Sequence, residues 1–164
     1  MTMLALCTGW IVSGCSTSYT PNGVPPGSTV AEVVALMGPP KATWPRDAAP
    51  GSAQQVEFWR GPFGKHTYML DFDANGRLVS QRQVLEEANF YKVLPGQTAD
   101  EVLQRIGHPS ETQTIGRQNI VVWNYRFVSP FCQWFQVSIG TSPQTEGKVT
   151  DVGFGPDPMC TPKY

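Results

Sequence analysis

Two stretches of the chain repeat each other without a gap. Residues 26–40 read PGSTVAEVVALMGPP and residues 95–109 read PGQTADEVLQRIGHP. At one fixed offset Pro26/Pro95, Gly27/Gly96, Thr29/Thr98, Glu32/Glu101, Val33/Val102, Gly38/Gly107 and Pro40/Pro109 coincide, seven identities in fifteen positions. A repeat constrains a fold strongly, because the same local unit has to be built twice. Each copy spells a short helix. Thr29 with Glu32, and Thr98 with Glu101, form the Thr-x-x-Glu capping box, in which the hydroxyl accepts an orphan N–H and the carboxylate reaches back to the cap. Val30, Val33, Val34 and Met37, then Val102, Leu103 and Ile106, continue at helical spacing. Gly38 and Gly107 suit a left-handed C-cap, and Pro40 and Pro109 forbid continuation. A helix of two to three turns does not persist alone, so each must pack on something.

The segments after each helix alternate like strands. Gln55–Arg60 and His66–Phe72 come first, the latter with Tyr68, Leu70 and Phe72 on one face. Asp73-Ala74-Asn75-Gly76 predicts a hairpin with a primed turn, and Arg77–Val84 returns. In the second copy Ile120–Phe127 places Val121, Trp123, Tyr125 and Phe127 together, and Gln133–Ile139 does the same for Phe135, Val137 and Ile139. Lys148–Phe154 returns after a polar loop over 141–147, and Trp59 and Trp123 fall at nearly equivalent places. The expected fold is α+β, with two tandem modules over 26–88 and 89–164. Each is a short helical segment packed on a three- to four-stranded antiparallel sheet. A chain of 164 residues has room for two such small units.

The N-terminus reads as targeting. Met3–Val12 is apolar and almost uncharged, too short to cross a bilayer, which takes about 20 residues, and suited to a signal-peptide core. It ends in Val12-Ser13-Gly14-Cys15, a lipobox, so residues 1–14 are expected to leave and Cys15 to carry the lipid. No Lys or Arg precedes the run, which points to a start upstream of Met1. Residues 15–25, rich in Ser, Thr, Pro and Gly, are expected to form a flexible tether. Cys7 departs with the signal, leaving Cys132 and Cys160 as an even pair in an oxidising compartment. They form either a disulfide, with roughly 3–4 kcal/mol of loop-closure stabilisation, or two separate buried thiols; the disulfide is the preferred reading.

Little in the chain suggests chemistry. The net charge of −1 offers no basic excess for nucleic acid. Asp71-Phe72-Asp73-Ala74-Asn75-Gly76 matches the first half of an EF-hand loop, but Arg82 stands where the bidentate acid belongs. His66 and His108 have no partner suggested by sequence, and pairing of Cys132 with Cys160 removes the free thiols. No catalytic residue, metal site or cofactor is expected. The second copy is aromatic beyond the needs of a core, and Trp134 is out of phase with Phe135, Val137 and Ile139. Trp59, Trp123, Phe131 and Trp134 are therefore the interaction candidates, with Trp44 and Phe63 as a similar set in the first copy. For Trp134 the alternative is a cover over the Cys132–Cys160 bridge.

The run Gly-x-Thr-x-x-Glu-Val, then Gly-x-Pro, then a Trp-bearing strand, occurs in Pro26–Pro40 with Phe58–Trp59 and in Pro95–Pro109 with Trp123–Tyr125. It resembles the SmpA/OmlA (BamE-like) lipoprotein family, once per module. That resemblance implies a non-catalytic, lipid-anchored scaffold of the outer membrane, facing the periplasm and accessory to outer-membrane protein assembly or envelope integrity. Its partners would be envelope proteins such as the barrel-assembly machinery. Two tandem modules are also similar to the β-lactamase-inhibitor-protein architecture, which implies the alternative: an inhibitor or regulator that grips an extracytoplasmic enzyme with its sheet face. Ser16 after the lipidated Cys is not the Asp of inner-membrane retention, which agrees with the outer membrane.

Overall fold

The structure is a computed structural model and describes residues 20–45 and 51–160. The signal peptide expected over 1–14 and the lipidation expected at Cys15 lie outside the described residues.

The chain is an α+β protein of two tandem sheet modules. The first runs α1 (Val30–Met37), β1 (Ala42–Pro45), β2 (Gln54–Arg60), β3 (His66–Phe72) and β4 (Leu78–Gln83). A single turn, α2 (Glu87–Phe90), leads into the second: α3 (Ala99–Ile106), β5 (Glu111–Ile115), β6 (Ile120–Arg126), β7 (Gln133–Gly140) and β8 (Val149–Pro156). Each sheet is a four-stranded antiparallel meander in sequence order. The first strands carry little apolar pattern: β5 is polar and mostly exposed, and β1 is only four residues, Ala-Thr-Trp-Pro, none of them buried.

The capping boxes form as the sequence predicts. Thr29 Oγ1 accepts the Glu32 N–H at 3.2 Å, and the Glu32 carboxylate accepts the Thr29 N–H at 2.7 Å. Thr98 and Glu101 do the same at 3.2 and 2.6 Å. The backbone hydrogen bond from each Thr, and then its hydroxyl, hold both carboxyls below their usual range. The helix ends differ from expectation. Gly38 (φ 79, ψ −172) and Gly107 (φ 77, ψ −168) keep the positive φ, but ψ is extended rather than left-handed helical. That region is essentially closed to any residue with a Cβ.

Each helix covers one face of its own sheet. Val33 and Met37 pack on Val56, Phe58, Leu70 and Phe72. Val102 and Ile106 pack on Tyr125, Phe135, Val137 and Ile139, and Phe90 stacks on Phe135 at 4.5 Å. Leu85, Phe90 and Val93, in the connection, belong to this second core. Val24 belongs to the first, and Pro21 is also buried. The expected tether is therefore corrected at its C-terminal end: an apolar side chain under α1 draws the chain into the domain by residue 24.

The modules match strand for strand. Ala42 pairs with Glu57 as Glu111 pairs with Asn124, and a register shift falls between Asp71 and Phe72 as it does between Ser138 and Ile139. Glu57 is thus the structural counterpart of Asn124. By the same alignment Trp59 corresponds to Arg126, and Trp123 to Val56, so the two tryptophans are not equivalent. The hairpin at Asp73–Gly76 also departs from the primed turn. Asn75 keeps a negative φ and only Gly76 is positive (φ 69). Asp73 N–H donates to Arg77 O at 2.9 Å and Gly76 N–H to Asp73 O at 3.0 Å, a three-residue loop of a type I turn ending on a left-handed glycine. Asp73 Oδ1 accepts the N–H groups of Asn75 and Arg77, and this favours that turn.

Candidate interaction surfaces

The far face of the first sheet carries Gln55, Glu57, Thr67, Met69 and Asp71, and all are buried. By alternation alone this would be a wet face. The turn after α3 closes it. Glu57 Oε1 accepts the backbone N–H of His108 at 2.8 Å, and His108 Nδ1 lies 2.7 Å from Glu57 Oε2. Trp44 stacks on the His108 ring at 5.9 Å and 26°. Gly107 is required there: a Cβ would sit 2.7 Å from Glu57 Oε1 and from Thr67 Cγ2. Tyr125 ties the turn to the second module by donating to Gly107 O at 3.0 Å. Burial, and then the nearby Glu57, push the Tyr125 hydroxyl well above the usual tyrosine range, so it remains a donor. His108, expected to lack a partner, is therefore one half of the junction between the modules. The signal for it was in the repeat: His108 replaces Pro39 of the first copy.

On the same far face Asp71 is bound by Gln55 Nε2 at 2.9 Å, by Ser80 Oγ at 2.7 Å and by Arg82. Burial raises its carboxyl, but the hydrogen bonds from Ser80, Arg82 and Gln55 outweigh that and hold it below the usual range.

The interaction candidates separate. Trp134 is only 7% exposed. Arg126 lies 4.9 Å over its ring and is itself held by Glu111 at 2.7 Å and Asp157 at 3.0 Å. Trp134 does face away from the core, but this ion-pair cover removes it as a contact residue. Trp123 is partly buried against the second core. Trp59 is 36% exposed, lies over Gly64 and donates from Nε1 to the Gly64 carbonyl at 3.2 Å. Lys41 Nζ sits 5.8 Å from its ring, and Phe63, next to Gly64 in sequence, is exposed.

Phe131 is the most exposed of the four, at 74%, with Val128 at 67% and Met159 at 55%. The disulfide between Cys132 and Cys160, with Cα atoms 5.8 Å apart, ties their two segments together. Cys132 has a left-handed φ of 50, and its carbonyl accepts the Asp157 N–H at 3.0 Å. Phe131 and Met159 each directly precede a bridged cysteine, so both exposed apolar side chains stand on the cross-linked frame, with Val128 three residues before Phe131.

The far face of the second sheet is open at its other end. A groove of about 350 Å³ is lined by Gln113, Ile115, Val122, Gln136, Ser138 and Asp151. Gln136 Nε2 donates to Asn124 Oδ1 at 2.8 Å in its floor, and Gly155 leaves the room that the Gln136 amide occupies. Among the described residues no group of three or more His, Cys, Asp or Glu side chains is placed to hold a metal ion, and no helix is long and apolar enough to cross a membrane.

No family model matches the chain, and no curated protein is similar to it. Among solved structures it is similar to a DUF4309 family protein (YjgB) from Bacillus subtilis, at 16% identity, over 84% of this chain and 80% of that one, with a TM-score of 0.25. A score of that size carries no argument about fold or function.

Proposed function

We propose that this protein is a non-catalytic interaction module, anchored through lipid on Cys15 at the periplasmic side of the outer membrane, and accessory to envelope or outer-membrane protein assembly. One observation supports the interaction role most: Phe131, Val128 and Met159 project into solvent from segments joined by a disulfide. Exposed apolar side chains held in a fixed frame lose little entropy on binding, and clustered apolar groups on a surface mark contact sites. The anchoring part of the reading rests on the lipobox alone.

The test is affinity capture from detergent-solubilised envelopes, with the full chain and its Phe131→Ser variant side by side. The proposal expects barrel-assembly subunits with the full chain and their loss with Phe131→Ser, at an unchanged melting temperature. An identical set of captured proteins from both chains overturns the assignment of this surface. Incorporation of labelled lipid that disappears in Cys15→Ala tests the anchor separately.

The second reading is inhibition of an extracytoplasmic enzyme through a sheet face. The open groove over Gln113, Gln136 and Asp151 favours it. Capture of a soluble hydrolase, abolished by Gln136→Ala rather than by Phe131→Ser, would establish this reading in place of the first.

A further inference from the structure

Sheet edges are the places where a chain can add a strand, and most proteins guard them with proline, lysine, bulges or extra cover. Among the described residues three of the four sheet edges are guarded. β1 ends on Pro45, and the ladders that reach β4 and β8 each contain a register shift. β5 (Glu-Thr-Gln-Thr-Ile) has no Gly, Pro or Lys, pairs with β6 in unbroken register, and exposes Glu111, Thr112, Gln113 and Thr114.

Its outward groups can be identified. The Asn124 carbonyl accepts the Ser110 N–H at 2.8 Å, so the Asn124 backbone faces β5. Alternation then makes Glu111–Asn124, Gln113–Val122 and Ile115–Ile120 the hydrogen-bonded pairs. Thr112 and Thr114 therefore turn their N–H and C=O groups off the sheet.

We propose that two copies of this chain associate through β5, antiparallel about a two-fold axis at Gln113, joining two four-stranded sheets into one of eight strands. The segment is self-complementary in that register. Thr112 meets Thr114 of the second copy, and each such pair exchanges both backbone hydrogen bonds from groups that are otherwise unpaired in the sheet. Cross-strand threonines are a favourable pair. Gln113 meets its own copy. Glu111 meets Ile115, so no like charges face each other, and the Glu111 carboxylate is already paired with Arg126 at 2.7 Å. The contact is isologous and closes at two copies. It uses none of Phe131, Val128 or Met159, so it stands apart from the proposed function.

Sedimentation equilibrium of the full chain tests it, together with Thr112→Pro. That substitution removes an N–H which β6 does not use, so the monomer ladder is retained. A concentration-dependent dimer is expected, with its Kd raised about tenfold or more in the variant. If Thr112→Pro perturbs folding, the double variant Thr112→Lys with Thr114→Lys places like charges across the axis and is expected to give the same loss. Gln113→Cys should oxidise to a covalent dimer, whereas Thr112→Cys should not, because its own copy lies beyond the Cα reach of about 7 Å for a disulfide. A monomer at all concentrations, a dimer indifferent to the edge variants, or equal cross-linking at both positions overturns the proposal.

Discussion

The carboxylate of Glu57, in the first module, binds both the backbone N–H and the imidazole of His108, in the second. Glu57 is wholly buried and its acceptors serve a turn 51 residues away, so this side chain, with the Trp44 stack on the same imidazole, ties the two modules together.

Glu57→Ala should destabilise the chain by about 3 kcal/mol, the scale for breaking one side of a buried polar pair. It leaves the His108 N–H without its acceptor and opens a cavity. Glu57→Gln retains an acceptor and should cost less than half as much. Denaturant unfolding of the two variants checks the order; equal losses would assign the effect to the carboxylate charge rather than to a retained acceptor or to volume.

Gly107→Ala should cost more than Gly96→Ala. Both residues have positive φ, 77 and 91, and both substitutions incur backbone strain of about 1–3 kcal/mol. An added Cβ at Gly96 meets nothing within 4 Å, while at Gly107 it collides with Glu57 and Thr67. Thermal melts of the pair report the difference.

Acid should weaken the first sheet through Asp71. Its folded value is depressed below the unfolded one of about 3.9. The stability it contributes is therefore complete above the unfolded value and is lost as pH falls through the folded one. The denaturant midpoint should drop more steeply between roughly pH 5 and pH 2 in the native chain than in Asp71→Asn. Parallel curves would remove Asp71 from the account.

Reduction of Cys132–Cys160, 28 residues apart, should lower unfolding stability by roughly 3–4 kcal/mol in the chain-entropy picture. The comparison is denaturation with and without reductant, and Cys132→Ser with Cys160→Ser should match the reduced chain.

Much of each module was legible because its signals are local. Thr29 and Glu32 lie one turn apart, Tyr68, Leu70 and Phe72 alternate, and two cysteines remained to be paired. What escaped the sequence depended on contacts between distant segments. Glu57 sits on the alternation phase that normally faces water, and only a second module laid over that face buries it. Strand alternation puts Trp134 off the core, but nothing near it in sequence indicates that Arg126, fixed by Glu111 and Asp157, roofs its ring. β1 and β5 escaped for the opposite reason: an exposed edge strand needs backbone partners and no apolar pattern.

The presence of Pro39 in the first copy, where the second has His108, limits how the repeat can grow. A module docks by offering the N–H just past its helix-ending glycine to an acid on the neighbouring sheet. Pro39 has no N–H to offer, and Asn124, whose oxygen is already taken by Gln136, stands where the acid would be. Among the described residues the two modules therefore offer one donor turn and one acceptor face, each satisfied by the other. Stacking of like units by this contact is used once, between these two modules, and neither module repeats it outward.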